Sequence, residues 1–426
     1  MHAAGAQGPG QPVRLTLDEA IARGLEASQH IAEAAARGDA ADAAAGQRRA
    51  ALMPQIAAQA GYTRTNHIDP FGVLLPNNQL QIIYPDIPNN YRSRLDLQWP
   101  VYTGGRLDAL ERAARIEATA SGDDVAAARR DVALEISHAY WALVSAAAAV
   151  SVVEEAVRRV DAHLQDVRNQ FAAGLVPPND VLSVEAQESR QRMLAIQARG
   201  ARDVAAAELA RLAGLAPGTA IEPAAELDAP AAEASAIDAL VEAARSRRSD
   251  RAALVKRAEA ADERARAAAA GTKPALAAAG GLDYARPNPR IFPREERWRT
   301  SWDVSVNASW QLFDGGRVRA EVAEAAALGR AARARLTDLD AALDLEIRQR
   351  VTELESSRAA ISAGEDAVRS ATEARRVVGD RFRAGVATST EVVDAQVALL
   401  QAELDRTRAI ANARIARARL DRALGR

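Results

Sequence analysis

From Val132 to Phe171 the chain reads VALEISHAYWALVSAAAAVSVVEEAVRRVDAHLQDVRNQF. Its apolar positions fall at Val132, Ile136, Ala139, Leu143, Ala146, Val150, Val153, Val157, Val160, Leu164, Val167 and Phe171. The steps alternate four and three without a break, which is a heptad seam and not the 3.6-residue drift of an ordinary surface helix. The run continues back to Gly104-Gly105-Arg106 without a proline. At 1.5 Å per residue, a helix of that length would reach roughly 100 Å, against the ~11–12 residues of an average helix. The spacing predicts a long, alanine-rich, supercoiled helix.

The same text occurs twice. Gly315-Gly316-Arg317 repeats Gly104-Gly105-Arg106 at an offset of 315 − 104 = 211. That offset carries Leu134-Glu135-Ile136 onto Leu345-Glu346-Ile347, Phe171-Ala172-Ala173-Gly174 onto Phe382-Arg383-Ala384-Gly385, and Gly214 onto Gly425. Asp180-Val181-Leu182 falls on Glu391-Val392-Val393. Self-similarity in fixed register marks an internal duplication. The 426 residues are therefore expected to hold two structural repeats of about 200 residues each.

Composition narrows the function classes. The hydrophobic fraction of 48% comes largely from alanine, and only 4% of residues are aromatic, which suits close-packed helices. A net charge of −2 gives no basic patch for nucleic acid. There is no cysteine, so disulfides, thiolate metal sites, cysteine catalysis and a lipidated N-terminal cysteine are excluded. The five histidines are scattered and make no metal-binding spacing. No apolar run is expected to approach the ~20 residues of a transmembrane helix. Met1 to Pro12 lacks an apolar h-region, so no signal peptide is expected in this stretch; for a secreted protein that implies a trimmed chain, and for a cytosolic one it is ordinary. No phosphate-binding loop, catalytic triad signature or metal cluster is present, and neither enzyme activity nor a cofactor is expected.

Taken in order, residues 1–14 read as a disordered tail, 15–214 as repeat 1, 215–236 as a Pro-, Ala- and Gly-rich linker, and 237–426 as repeat 2. Thr16 and Glu19 are spaced as a capping box for a first helix, with breaks near Gly24 and Gly38 and a stop at Pro54. After Pro54 the period changes to two. Strand pairs are expected at about 55–65 with 91–102 and 275–286 with 301–313, and Asn66 to Asn90 is a loop by composition. In the clearest strand Trp302, Val304, Val306, Ala308, Trp310 and Leu312 face one way, and Asp303, Ser305, Asn307, Ser309 and Gln311 the other. Tyr91, Ser93, Leu95, Leu97, Trp99 and Val101 alternate with Arg92, Arg94, Asp96 and Gln98. Four such strands match the transmembrane β-strand pattern, with a lipid face, a water-filled lumen face and aromatic girdles. Long helical hairpins follow at 105–213 and 316–425, their second helices carrying apolar positions Leu182, Ala186, Met193 and Ile196, and Val393, Val397, Leu400 and Leu404.

These residues resemble the outer-membrane efflux proteins, the TolC family. The resemblance rests on Leu15-Thr16-Leu17-Asp18-Glu19-Ala20, on Leu312-Phe313-Asp314-Gly315-Gly316-Arg317 with its looser version Val101 to Arg106, and on the turn from Phe382 to Gln396. It covers residues 15–425. It implies a mainly α fold in which each chain of a homotrimer gives four strands to a shared 12-stranded outer-membrane β-barrel. The long antiparallel helices would form a trimeric tunnel through the periplasm. The implied function is a passive export duct, served by a periplasmic adaptor and an inner-membrane transporter, with outer-membrane lipid as its other partner.

In that family the helix turns narrow the tunnel and meet the partners. Here the turns offer Gly174, Leu175 and Val176, and Gly385, Val386 and Ala387. Asp394, Glu391 and Asp180 are the candidates for a pore constriction. Glu391 also fits a capping box with Thr388, and Asp180 also suits a helix N-terminus, so for both a structural role stands beside the functional one. Trp99, Tyr102, Trp310 and Phe313 are assigned to the membrane interface. Trp141 and the arginines Arg348, Arg350, Arg375 and Arg376 read as packing and as solvated or ion-paired surface. Some relatives hold the tunnel shut with a basic residue two positions after the second glycine; here that position is Ala387, so their gating contacts do not transfer. The alternative reading is a soluble or periplasmic coiled-coil scaffold or adaptor, which would not need four amphipathic strands.

Overall fold

The structure is a computed structural model that describes residues 13–233 and 235–426. The first repeat runs β1 (Val13–Leu15), α1 (Leu17–Ala27), α2 (Gln29–Ala50), β2 (Gln55–Arg64), β3 (Phe71–Leu74), β4 (Leu80–Tyr84), β5 (Asn89–Tyr102), α3 (Arg106–Ala172) and α4 (Pro178–Leu212). After β6 (Ile221–Pro223) come α5 (Ile237–Arg247), α6 (Ser249–Ala269), β7 (Ala275–Arg286), β8 (Arg299–Ser309), α7 (Arg317–Arg383) and α8 (Ser389–Ala423). The duplication is visible in element lengths: α3 and α7 both have 67 residues, and α4 and α8 both have 35. The chain forms two compact units that cut across the repeats. One holds residues up to 36, 123–252 and 337–426; the other holds 37–122 and 253–336.

The first unit is helical apart from the short β1–β6 pair. The α3 seam buries Val132, Ile136, Ala139, Leu143, Val150, Val153, Val160, Leu164 and Val167. Tyr140, Trp141 and Val144 are buried as well, so α3 is covered over a wider arc than a two-helix seam requires. Tyr140 explains part of this. Its hydroxyl donates to the Leu15 carbonyl at 3.2 Å and accepts from the Ala225 N–H at 3.1 Å, pinning β1 and the segment after β6 to α3. Equivalent layers recur in repeat 2, where Leu240, Val241 and Ala244 of α5 pack with Ile347, Val351 and Leu354 of α7 and Leu420 of α8.

The second unit holds the sheet, in the order β2-β5-β7-β8 and antiparallel throughout. The register aligns Ile56, Leu97, Gly280 and Val304 across the four strands, and likewise Ala58, Leu95, Leu282 and Trp302. All the alternating apolar positions therefore share one face. Both strand-to-helix turns are built on two successive left-handed glycines, Gly104 and Gly105 at φ 66° and 87°, and Gly315 and Gly316 at 67° and 88°. Residues with a Cβ avoid that region, so the glycine pair specifies the reversal.

Several expectations are corrected. Residues 1–12 of the expected tail lie outside the described residues, but Val13 and Arg14 already form β1, paired in parallel with β6 in the linker. The first helical segment breaks at Ser28, not at Gly24 or Gly38. Ser28 is extended and its hydroxyl accepts from the Ile31 N–H, starting α2, whereas Gly24 lies inside α1 against Ile136. The loop 66–90 contains the β3–β4 hairpin. β8 ends at Ser309, because its partner β7 begins at Ala275 and leaves nothing for Trp310 to Phe313 to pair with. Phe171, the last seam position, is exposed while its counterpart Phe382 is buried.

The apolar stripe on α4 is also not the buried one. Leu182, Met193 and Ile196 are 63%, 53% and 67% exposed, and Ala186 is exposed too, while Val184, Gln187, Glu188, Gln191 and Ala195 are buried. Periodicity shows that a helix has an apolar stripe; which neighbour covers it is set by the other helices. Finally, α3 does contain an 18-residue window of mean hydropathy 1.6, half of it buried within the fold.

Candidate functional site: the paired helix turns and the sheet faces

Each long helix ends in the same way. The Gly174 N–H donates to the Phe171 carbonyl and the Leu175 N–H to Gln170; the Gly385 N–H donates to Phe382 and the Val386 N–H to Arg381. With Gly174 at φ 75° and Gly385 at 74°, both are Schellman ends, in which left-handed glycine lets two late N–H groups satisfy orphan carbonyls.

The structure brings the two turns into one cluster. Val160, Leu164, Val167, Val184, Phe382 and Val392 form its core, with Val176 and Ala387 packed against it. The six turn residues thus divide. Val176 and Ala387 are tucked inward, whereas Leu175 and Val386, which occupy the same place in the two turns, are 74% and 64% exposed. Two equivalent apolar side chains are thus held out at this end.

The acidic candidates separate as well. Thr388 and Glu391 form a reciprocal capping box: the Glu391 N–H donates to Thr388 Oγ1 at 3.3 Å, and the Thr388 N–H donates back to Glu391 Oε1 at 3.2 Å. The backbone bond from Thr388 holds the Glu391 carboxyl below its ordinary range. Asp180 sits half-buried in the first turn of α4, accepting from the Asn179 side chain at 3.1 Å. Asp394 lies exposed on α8 with no hydrogen-bond or ion-pair partner among the described residues. Of the three, only Asp394 has its charge uncommitted.

Two residues at this end were not singled out by sequence reasoning. His163 of α3 is buried, with Nε2 3.1 Å from Ser389 Oγ and its ring edge-on to Phe382 at 5.1 Å. Burial pushes its pKa down, and Asp166 opposes this only in part. Arg381 donates to the Val386 carbonyl at 3.2 Å and lies 4.0 Å from Glu391, so a basic residue before the turn braces it although Ala387 cannot. Neither follows from a local period, since His163 has no counterpart in repeat 2, where Ala374 stands, and Arg381 is one arginine among many.

In the sheet unit, the Trp99 indole donates to the Leu52 carbonyl at 3.3 Å and that of Trp310 to Thr272 at 3.0 Å, the same contact in both repeats. Tyr102 and Phe313 lie beside them in sequence and are exposed. A second aromatic group forms at the opposite end of the sheet. There Tyr62 meets Tyr91 at 4.9 Å, and Trp298 lies against Tyr91 at 5.9 Å and Tyr284 at 4.8 Å. Between the two groups the apolar face is bare: Ile56, Trp302, Val304 and Val306 are each more than 70% exposed. The other face carries Arg92, Arg94, Asp96, Asp283 and Asp303, joined by ion pairs. Tyr91 and Tyr102 are 11 positions apart, about 37 Å along a strand and about 28 Å at a 40° tilt, close to the apolar band of a membrane barrel.

No curated protein matches the sequence. The family profile described as outer membrane efflux protein matches residues 20–215 and again residues 228–426. Among solved structures, the outer membrane protein VceC of Vibrio cholerae aligns with a TM-score of 0.79 and 22% identity, over 96% of this chain and 96% of that one. The Neisseria gonorrhoeae MtrE outer membrane channel in its open state aligns with a TM-score of 0.78 and 18% identity, over 96% and 88% of the two chains. The Campylobacter jejuni CmeC outer membrane channel gives 0.77 and 16%, over 100% and 90%. At these identities the structures establish a shared fold.

Proposed function

This chain belongs to the outer membrane efflux protein family, and on that premise we propose that it works as a homotrimeric export duct. Three copies of the four-stranded sheet close a 12-stranded barrel in the outer membrane, and the helical hairpins line a tunnel reaching into the periplasm. Cargo passes through water; the energy comes from an inner-membrane transporter, joined through a periplasmic adaptor. The observation that carries this reading is the sheet. Its large apolar side chains are exposed on one face, its ion pairs line the other, and the edges of β2 and β8 are unpaired among the described residues. In lipid an open sheet edge is not tolerated, and four strands cannot close on themselves. Antiparallel pairing of β8 with β2 of the next copy satisfies both edges. The exposed α4 stripe of Leu182, Met193 and Ile196 supports helix–helix contact between copies in the same assembly.

At the turns, Leu175 and Val386 with their glycines dock the adaptor or pump, and Asp394 contributes the carboxylate ring of the constriction, with Glu391 and Asp180 as neighbours that mainly secure the helix starts. Trp99, Tyr102, Trp310 and Phe313 mark the membrane interface. A soluble scaffold or adaptor would share the helices but would bury the apolar sheet face.

Purification from the outer-membrane fraction in mild detergent should give a particle near three times 45.2 kDa that conducts ions in planar bilayers. Asp394→Ala should lower its cation preference. A detergent-independent monomer would refute the duct, and an unchanged Asp394→Ala channel would move the constriction elsewhere.

A further inference from the structure

We infer that Arg94 holds the wall of the barrel lumen electrically neutral and thereby sets the ion selectivity of the membrane segment. The inference rests on the duct reading, which turns the polar face of the sheet toward the bore. On that face the register lays Asp96 of β5, Gly281 of β7 and Asp303 of β8 in one row across three strands, with Asp283 next along β7 and directly opposite Arg94. The Arg94 guanidinium lies over Gly281. Its Nε donates to Asp96 at 2.6 Å, one terminal nitrogen to Asp283, and the other lies 3.2 Å from Asp303.

Gly281 is what permits this. A Cβ there would stand 2.2 Å from Arg94 Nη2 and 2.8 Å from the Asp303 carboxylate, so any other residue would lift the guanidinium off the wall. Beneath it Asp283 is wholly buried, held also by Arg92 at 2.6 Å, and Arg290 reaches Asp303 at 2.6 Å. Three arginines meet three aspartates, and one cation is shared among all three carboxylates. The arginine side chain is only 17% exposed. A ring of charge in a pore wall selects ions of the opposite sign; here the charges cancel in place, so this segment passes cations and anions alike. Without Arg94 each chain keeps one uncompensated carboxylate, three around the bore, felt over about 10 Å at 0.1 M salt.

The test is the reversal potential of the full-length protein in planar bilayers under a tenfold KCl gradient at low salt. Relative to the wild type, whose Asp394 ring is left untouched, Arg94→Gln should raise the potassium-to-chloride permeability ratio about twofold or more, and Asp303→Asn should lower it. The double variant Arg94→Gln/Asp303→Asn, neutral again, should return to the wild-type ratio. An Arg94→Gln channel of unchanged selectivity overturns the inference while leaving the duct intact, as does a double variant that stays more cation-selective than the wild type. A wild type that forms no channel overturns the duct reading instead. Should Arg94→Gln not assemble, Asp303→Asn decides: no shift toward anions overturns the inference.

Discussion

His163 is the one buried histidine among the described residues, and its setting makes acid its natural stress. Burial lowers its pKa in the folded chain, so the unfolded chain binds a proton more readily. Stability at this cluster is therefore full above the unfolded value of about 6.5 and falls as pH drops below it. A charged imidazole would sit between the Phe382 ring and Ser389, on the contact that joins α3 to α7 and α8. Thermal unfolding should show wild-type protein losing stability between pH 7.5 and 5.5, and His163→Gln, which keeps a hydrogen-bonding group without a titration, losing distinctly less. Parallel curves would rule out the histidine as the source. Nothing in the sequence marked this residue. The chemistry of a lone histidine is fixed by what surrounds it, and its contacts with Phe382 and Ser389 come from more than 200 positions away.

At the scale of the element, glycine turns were the most legible feature, and the structure adds what each glycine faces. Gly385 and Gly214 both end long helices in the left-handed region, at φ 74° and 65°. A Cβ at Gly385 meets open space, whereas one at Gly214 falls 2.4 Å from the Ala27 Cβ. Gly385→Ala should therefore carry only the backbone strain, about 1–2 kcal/mol. Gly214→Ala adds overpacking of about 1–3 kcal/mol. Circular dichroism melts should rank wild type above Gly385→Ala above Gly214→Ala; a reversed order would mean the α1–α4 contact gives way freely. The strands were readable for the same local reason, period two, but their ends were not. β8 stops where β7 runs out of residues to pair, and a ladder's length belongs to two strands at once.

For the whole molecule, the sheet faces carry the prediction. Val304 is exposed on the apolar face and Ser305, its neighbour, points to the polar one. A lipid-facing arginine near the midplane costs about 2–4 kcal/mol per chain. Val304→Arg should deplete the outer-membrane trimer, while Ser305→Arg should be recovered at the wild-type level. Equal recovery of both would mean that water, not lipid, bathes the apolar face.

The duplication, the long helices, the capping boxes, the paired glycines and the two-faced strands were all determined by sequence alone. Each depends on a backbone conformation or a period spanning a few neighbouring residues, and such periods survive in a linear text. The tertiary structure decided the rest: that both helix turns share one cluster, that Val13 to Leu15 pairs with the linker, that α4 buries Gln187 and Gln191 while Met193 and Ile196 face outward, and that Arg94 binds three carboxylates. Most of those outcomes hang on contacts between residues about two hundred positions apart, and the burial of α4 on the helices that flank it, where the partner's geometry, not the local pattern, selects the side chain that is covered.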